Sequence, residues 1–313
     1  MADEISIGGA CRLADRGVIR ARGADAAAFL QGQLTNDVAS LDSGSARLAG
    51  FCSAKGRLQA TFIVWRPAPD EFILSCPTSI LAATLKRLSM FVLRAKCKLS
   101  DASDEIALFG VAGGETAVAM VGAASAWQVR PHGTATAIRL HDAAGVSRVL
   151  VAAPTGSDAL FAEAPSLPLA TWHWLEVVSG IVSIEAATVD RFVPQMVNFE
   201  LVGGVDFQKG CYPGQEVVAR SQYRGTTKRR TFLFDCDVLP AAGEDVYGAE
   251  AAHEPAGTVA NAAPNPGGGG ASALVEVRIA VADADLRLGA VDGPRLRPRA
   301  LPYPVPLDAV ATP

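Results

Sequence analysis

Between residues 46 and 76 three extended apolar runs, "ARLAGFCS", "RLQATFIVW" and "EFILSC", are separated only by the turn-forming stretches "AKG" and "RPAPD". Runs this short with breakers this close predict a β-meander. The following stretch, "TSILAATLKRLSMFVL", repeats apolar residues at 81, 85, 88, 91 and 92. That spacing predicts a helix with one face on the meander and with Thr78 or Ser79 as its N-cap. A second cycle comes next: extended "IALFGV", helical "ETAVAMVGAASAW", extended "TAIRL" and "RVLVAA", and helical "SDALFAEA". Such repeated mixtures point to an α+β protein built of ferredoxin-like units.

On either side of these cycles the pattern changes. Residues 24 to 34, "ADAAAFLQGQL", read as a short helix with Phe29, Leu30 and Leu34 on one face and Asp25 near its start. "PLATWHWLEVVSG" reads as a helix stopped by Gly180, a residue suited to the left-handed position just past a C-terminus. Past Thr231 only short β-like runs remain, broken by "LPAAGED" and "PNPGGGG". They predict a small all-β domain with the glycine run as one loop. The proline-rich tail from Pro298 should lie extended over the surface. With 313 residues, a prior of about 150 per domain gives two domains, or three.

Half of the residues are apolar and the formal net charge is −4, which suits an ordinary folded chain and not one built mainly to coat nucleic acid. One local exception is Arg220, Arg224, Lys228, Arg229 and Arg230, five cations within eleven residues. They form either a solvated face or an anchor for an anionic ligand tail or a phosphate backbone. The N-terminus lacks the basic and apolar regions of a secretory signal, and no apolar run approaches the roughly 18 residues that span a bilayer. A cytoplasmic protein with no membrane partner is expected. Cysteines 11, 52, 76, 97, 211 and 236 are too far apart for metal or redox pairs. The histidines, at 132, 141, 173 and 253, show no ligand spacing either, so no metal site is expected. No phosphate loop, nucleophile elbow or dinucleotide fingerprint is present.

The stretch "FQKGCYPGQEVVAR" (207–220) surrounds one thiol with turn chemistry. Lys209 lies two residues before Cys211, and Pro213-Gly214 is the preferred centre of a type II turn. A helix starting near Gln215 would aim its free amides back at the sulfur. Cations and helix amino termini favour thiolates, so this arrangement suits an activated or ligand-contacting thiol. A structural cysteine in a tight turn would need the same glycines, and Glu216 could instead pair with Lys209 or Arg220.

Extended to "KGCYPGQEVVARSQYRGTTKRR", the same segment closely resembles the signature of YgfZ-type folate-binding proteins, relatives of the glycine cleavage aminomethyltransferase, or T-protein. "FLQGQLTNDV" with "FCSAKGR", the lead-in "GIVSIEAATVDRFVPQMVNFELVGGVDFQ" and "AGTVANA" are similar to other parts of that family's pattern, so the resemblance covers most of the chain. It implies a three-lobed protein with a central cavity holding tetrahydrofolate or a derivative. Two intertwined α+β subdomains would occupy residues 1–230 and a small β-barrel with an extended tail residues 231–313. The resemblance further implies support for the assembly or repair of iron-sulfur enzymes, one of them tRNA-modifying, with those client enzymes or assembly factors as partners. Cys211 and Lys209 would form the functional centre facing the cavity. Folate contacts would come from Trp172, Gln195, Asn198, Asn36, Lys55 and Arg57, and from Tyr212, Gln215, Arg220, Tyr223 and Arg224 of the signature.

This chain also departs from the pattern. Where the aminomethyltransferase has a catalytic aspartate it carries Gln59 and Ala60, neither of which ionises, so aminomethyl transfer is the weaker alternative. Val178 stands where relatives have a pterin-reading glutamate, and Glu176, about 200 degrees around a helix, is not a simple replacement. Arg16 occupies the place of a family tryptophan. A third reading, a scaffold binding RNA or a partner protein through residues 220–230, needs no small molecule. Cys211 alone cannot ligate an iron-sulfur cluster.

Overall fold

The computed structural model describes residues 7–223, 227–248 and 254–306. In chain order the first half runs β1 (Gly9–Arg12), β2 (Arg16–Arg22), α1 (Ala26–Gln31), β3 (Ala46–Cys52), β4 (Leu58–Ala68), β5 (Glu71–Pro77), α2 (Thr78–Ser89), β6 (Lys98–Asp101), β7 (Ile106–Ala112), α3 (Gly114–Val121), β8 (Val129–His132), β9 (Ala135–Arg139) and β10 (Arg148–Pro154). The second half runs α4 (Leu169–Val178), α5 (Gln215–Tyr223), β11 (Arg229–Cys236), β12 (Asp245–Gly248), β13 (Gly257–Pro264), β14 (Ala271–Arg278), β15 (Leu286–Leu288) and β16 (Arg297–Arg299). The class is α+β and rich in sheet.

Three antiparallel sheets carry the fold. The first has the order β3-β4-β5-β2-β6 and contains the expected meander. The second has the order β1-β7-β10-β9-β8. Its edge strand β1 precedes β2 of the first sheet by only a few residues, so the chain laces the two sheets together near Leu13. The third has the order β15-β12-β13-β14-β11-β16 and forms the coarser version of the expected small barrel. It curls into a half-barrel, because β15 also bonds the segment that leads into β16: Leu288 N donates to Pro294 O and Leu296 N to Leu286 O, both at 2.9 Å. Gly267 to Gly270, all with positive φ, form the β13–β14 loop that the glycine run predicted.

Several local expectations change. Pro77, not Thr78 or Ser79, is the N-cap of α2, and the Thr78 hydroxyl donates instead to Asp15 O at 3.0 Å. The buried stripe of α2 is Ile80, Leu81, Thr84 and Leu88, and the helix stops at Ser89 before it can bring Phe91 inside. The helix α3 ends at Val121 because Gly122 turns to φ +58, and "SDALFAEA" forms only one 3-10 turn, Ser157–Phe161. The proline-rich tail does more than lie on the surface: Arg297–Arg299 pair with β11, and the Tyr303 hydroxyl donates to Gly180 O at 2.6 Å.

One apolar cluster lies between the first sheet and α1 and α2, a second between the second sheet and α3, and a third inside the C-terminal sheet. The largest lies at the centre, where all three sheets meet around α4. The sequence "LATWHWLEVV" explains this position. It is apolar around most of its circumference, as a helix enclosed by other elements must be. Trp172 lies against β7 at Gly110, where no side chain intervenes. Trp174 turns the other way, and its indole Nε1 donates to Asn265 Oδ1 (3.0 Å) and Ser272 Oγ (3.1 Å) at the C-terminal sheet. Gly180, at φ +74, ends the helix as anticipated. Burying an indole removes about 150–250 Å² from water, roughly 4–6 kcal/mol per tryptophan as an upper bound.

A Cβ added at Gly110 would come within 2.4 Å of Trp172 Cδ2. Gly110→Ala should therefore cost about 1–3 kcal/mol through overpacking, seen as a lower thermal midpoint. An unchanged midpoint would show that α4 is not seated tightly on β7.

Candidate functional site

The signature motifs come together on one side of the first sheet. The Lys209 ammonium, buried, donates to the carbonyls of Gln31 and Leu34 at the end of α1 and lies 4.9 Å from the centre of the Tyr212 ring. It thus gives a donor to the Gln31 carbonyl at the last residue of α1 and to the Leu34 carbonyl just beyond the helix. Burial lowers its pKa to about 8. Asn36 Nδ2 donates to Leu48 O and Gly203 O, and Thr35 Oγ1 donates to Gly204 O. The β3–β4 turn meets the signature turn backbone to backbone: a Cβ on Gly214, whose φ is +77, would lie 2.5 Å from Gly56 Cα. Two glycines are required there because any side chain would separate the turns.

Within this cluster Cys211 is exposed, as are Lys55, Arg220 and Tyr223, while Arg57 and Gln215 are half-buried. Gln215 opens α5 as expected. Arg57 donates to Arg191 O, and the Tyr223 ring lies edge-on to Phe207 at 6.3 Å. Gln195 and Asn198 are buried and tie segments together, donating to Val218 O (2.8 Å) and Thr231 O (2.7 Å). Tyr212 is buried, and Arg224 lies outside the described residues. The basic run is partly neutralised, since Arg229 pairs with buried Glu276 and Arg230 with buried Glu200. Among the other cysteines, burial pushes Cys11, Cys52 and Cys76 up to about 12.

None of the expected thiol and folate-contact residues lines the set of cavities at the junction of the three sheets. There a chamber of about 320 Å³ is bounded by Asp15, Arg16, His173, Glu176, Glu185 and Asn261, among others. A waist of about 60 Å³ shares Arg16, Glu176, Ile181 and Ser183 with it and adds Thr61, Trp127, Leu140 and Arg148. The waist in turn shares Leu140, Ser179 and Ile181 with a second chamber of about 530 Å³, bounded also by Arg139, His141, Asp142 and Tyr303. These shared walls place the three cavities in a row, referred to below as the channel.

Charge is concentrated at the waist. Arg16 Nη1 is 3.5 Å from Glu176 Oε1, and Arg16 Nε donates to Ser75 Oγ at 3.2 Å. Arg148 is buried; its Nε donates to His141 O, and its guanidinium lies 5.8 Å from the centre of the Trp172 ring. Trp172 is 1 % exposed and lies behind Arg148, which lines the waist. Glu185 accepts from Asn261 Nδ2 at 2.6 Å, and burial pushes its carboxyl up despite that bond. Val178, four residues beyond Trp174 and on its face, is buried in the core, whereas Glu176 reaches the channel with His173. The missed signal is visible in "TWHWLEVV": two ionisable residues, His173 and Glu176, three apart on a helix that is mostly apolar.

His173 Nε2 lies 2.8 Å from Asp15 Oδ2. The Asp15 carboxylate raises the imidazole pKa, and the imidazole lowers that of Asp15. The raised histidine contributes stability below its unfolded value near 6.5 and loses it as pH rises through the folded value. The lowered aspartate contributes above its unfolded value near 3.9 and loses it as pH falls through the folded one. The pair is therefore fully formed between about pH 4 and pH 6.5. In an NMR titration, Asp15→Asn should move the His173 midpoint downward; an unmoved midpoint would mean that the contact does not persist in solution.

Residues 10–149 match the GCVT N-terminal domain family. The chain is 32% identical over 234 residues to the tRNA-modifying protein YgfZ of Shigella boydii, covering 72% of this chain and 71% of that protein. It is 35% identical over 250 residues to the tRNA-modifying protein YgfZ of Edwardsiella ictaluri, covering 75% and 74%. Among solved structures it is similar to the glycine cleavage system aminomethyltransferase T of Bartonella henselae, with a TM-score of 0.76 over 95% of this chain and 86% of that one at 18% identity. That likeness establishes a T-protein-like fold. The sequence relationships, extending over more than two thirds of each protein, establish that this chain belongs to the YgfZ family.

Proposed function

We propose that this chain is a folate-binding factor supporting tRNA modification, acting through the assembly or repair of iron-sulfur enzymes in the cytoplasm. The observation that carries the reading is Glu176 beside Arg16 at the waist of a channel with two chambers. A reduced folate has an amino-pyrimidinone edge rich in donors, a flat ring system and an anionic tail. The channel offers each a counterpart. Glu176 and Glu185 are carboxylates facing one chamber, Trp127 and Arg148 line the waist, and Arg139 lines the other chamber. Both chambers fall within the roughly 300–1,000 Å³ of small-molecule sites. Glu176 supplies the carboxylate that Val178 cannot.

In this reading the two candidate centres have separate tasks. The channel holds the folate, and the exposed Cys211, presented where the two glycine turns meet, serves client enzymes or assembly factors. Trp172 stiffens the wall behind Arg148, and the amides of Gln195, Asn198 and Asn36 hold the surrounding segments in place. A transferase reading finds no support at positions 59 and 60: Ala60 is buried and Gln59 cannot ionise.

Calorimetry with tetrahydrofolate tests the binding half. Wild type should give a binding isotherm, and Glu176→Gln should weaken it about 10- to 100-fold, the usual weight of a hydrogen bond to a charged group. No heat with wild type would remove the ligand, and equal affinities would remove Glu176. Cys211→Ser should bind folate unchanged yet fail to restore iron-sulfur enzyme activity in a strain lacking this protein. Full restoration would remove the thiol from the function.

A further inference from the structure

The strongest unexplained surface lies at the end of α2, far in sequence from the signature. Residues 78–100 contain five cations, Lys86, Arg87, Arg94, Lys96 and Lys98, and no acid, in a chain whose net charge is −4. All five are exposed, and none forms an ion pair with a described residue. Between them Met90, Phe91 and Leu93 project into solvent, Leu93 at 88% exposure. This is the stretch whose apolar spacing predicts a continued helix; the helix stops at Ser89 and leaves those side chains outside.

The loop is held in shape. Asp25 Oδ2 accepts from Lys96 N at 2.7 Å, and Asp25 N donates to Lys96 O at 3.1 Å. The Arg87 guanidinium lies 6.0 Å from the centre of the Phe91 ring, making a flat platform of cation and aromatic. Leu93 sits at φ 45, a conformation that costs a branched residue energy. The tip is therefore presented apolar side out instead of being folded away.

We infer that this loop is an RNA-binding surface. Its five cations would lie along the phosphate backbone, while Phe91, Met90 and Leu93 contact unpaired bases. Phosphate neutralisation by clustered Lys and Arg gives sequence-independent affinity, and stacking on aromatic or guanidinium planes suits bases splayed out of a helix. Apolar wedges between base steps are a second use of the same residue types. An anionic membrane is less favoured, because three apolar side chains with no amphipathic helix behind them anchor weakly. The outward face of α2 carries Ala82, Ala83, Lys86 and Arg87 and no large apolar residue. The inference rests on the tRNA side of the proposed function, and it moves the RNA contact away from residues 220–230, where two cations are tied to buried carboxylates.

Fluorescence anisotropy of the full chain with a labelled tRNA transcript, titrated across salt concentrations, tests it. Five phosphate contacts predict a log–log salt slope of about −3.5 to −4.5. The variant Arg87→Gln/Arg94→Gln/Lys96→Gln should weaken binding at least tenfold and reduce the slope by about 2 to 3. Phe91→Ala should weaken binding to the transcript more than to a blunt RNA duplex of equal length. Unchanged thermal midpoints would confirm that the variants remain folded. No binding by wild type overturns the proposal. So does a loss confined to Arg220→Gln/Lys228→Gln, and so does binding to 1:1 phosphatidylglycerol–phosphatidylcholine vesicles with none to RNA. Folate calorimetry on the same triple variant should match wild type. If the variants bound RNA normally while folate binding held, this surface would fail and the folate reading would stand.

Discussion

Everything in this structure depends on how α4 is enclosed. Ten residues meet three sheets, and the helical repeat assigns each sheet a face: Trp172 toward the second, Trp174 toward the third, His173 and Glu176 toward Asp15 and Arg16 at the start of the first. Two bulky indoles on opposing faces fix the helix's rotation, since neither can turn without leaving a void. That rotation decides which polar residues reach the channel. A glutamate at 176 does; a side chain at 178 is buried among apolar neighbours. The chemistry facing the channel is thus a consequence of packing on the other sides of the same helix.

The arrangement separates two kinds of polar chemistry in one chain. Around Cys211, turn glycines and buried amides hold segments together. Lys209 and Gln195 direct their donors to backbone carbonyls, and Asn198 and Asn36 do the same. At the channel, charged groups face a void and each other. Burial raises the Glu185 carboxyl and the buried Arg148 guanidinium is pulled down, so ionisation there is costly without a partner. A ligand with both donor edges and anionic oxygens would relieve both costs.

Much of the fold was legible in the sequence because the elements involved are local. The meander, α4 with its Gly180 stop, and the glycine loop each announce themselves within roughly thirty residues. β2, "RGVIRAR", did not, because its charged alternation is tolerable only between β5 and β6, which arrive more than fifty residues later. The end of α2 was misread because its apolar spacing continues past the point where the backbone turns. For the site, the signature cluster was legible as a motif, since its residues lie close in sequence. The channel was not: Asp15, Arg16, Glu176, Glu185 and Asn261 span most of the chain, and only the fold brings them to one wall.

We place the ligand site in the channel beside α4 and the Cys211 turn outside it. A crystal structure of the chain soaked with 5-formyltetrahydrofolate tests this most directly. Ligand density should run along the channel, with the pterin ring beside Glu176. Ordered density lodged instead against Cys211 and Lys55, with the waist between Arg16 and Arg148 left to solvent, would contradict it.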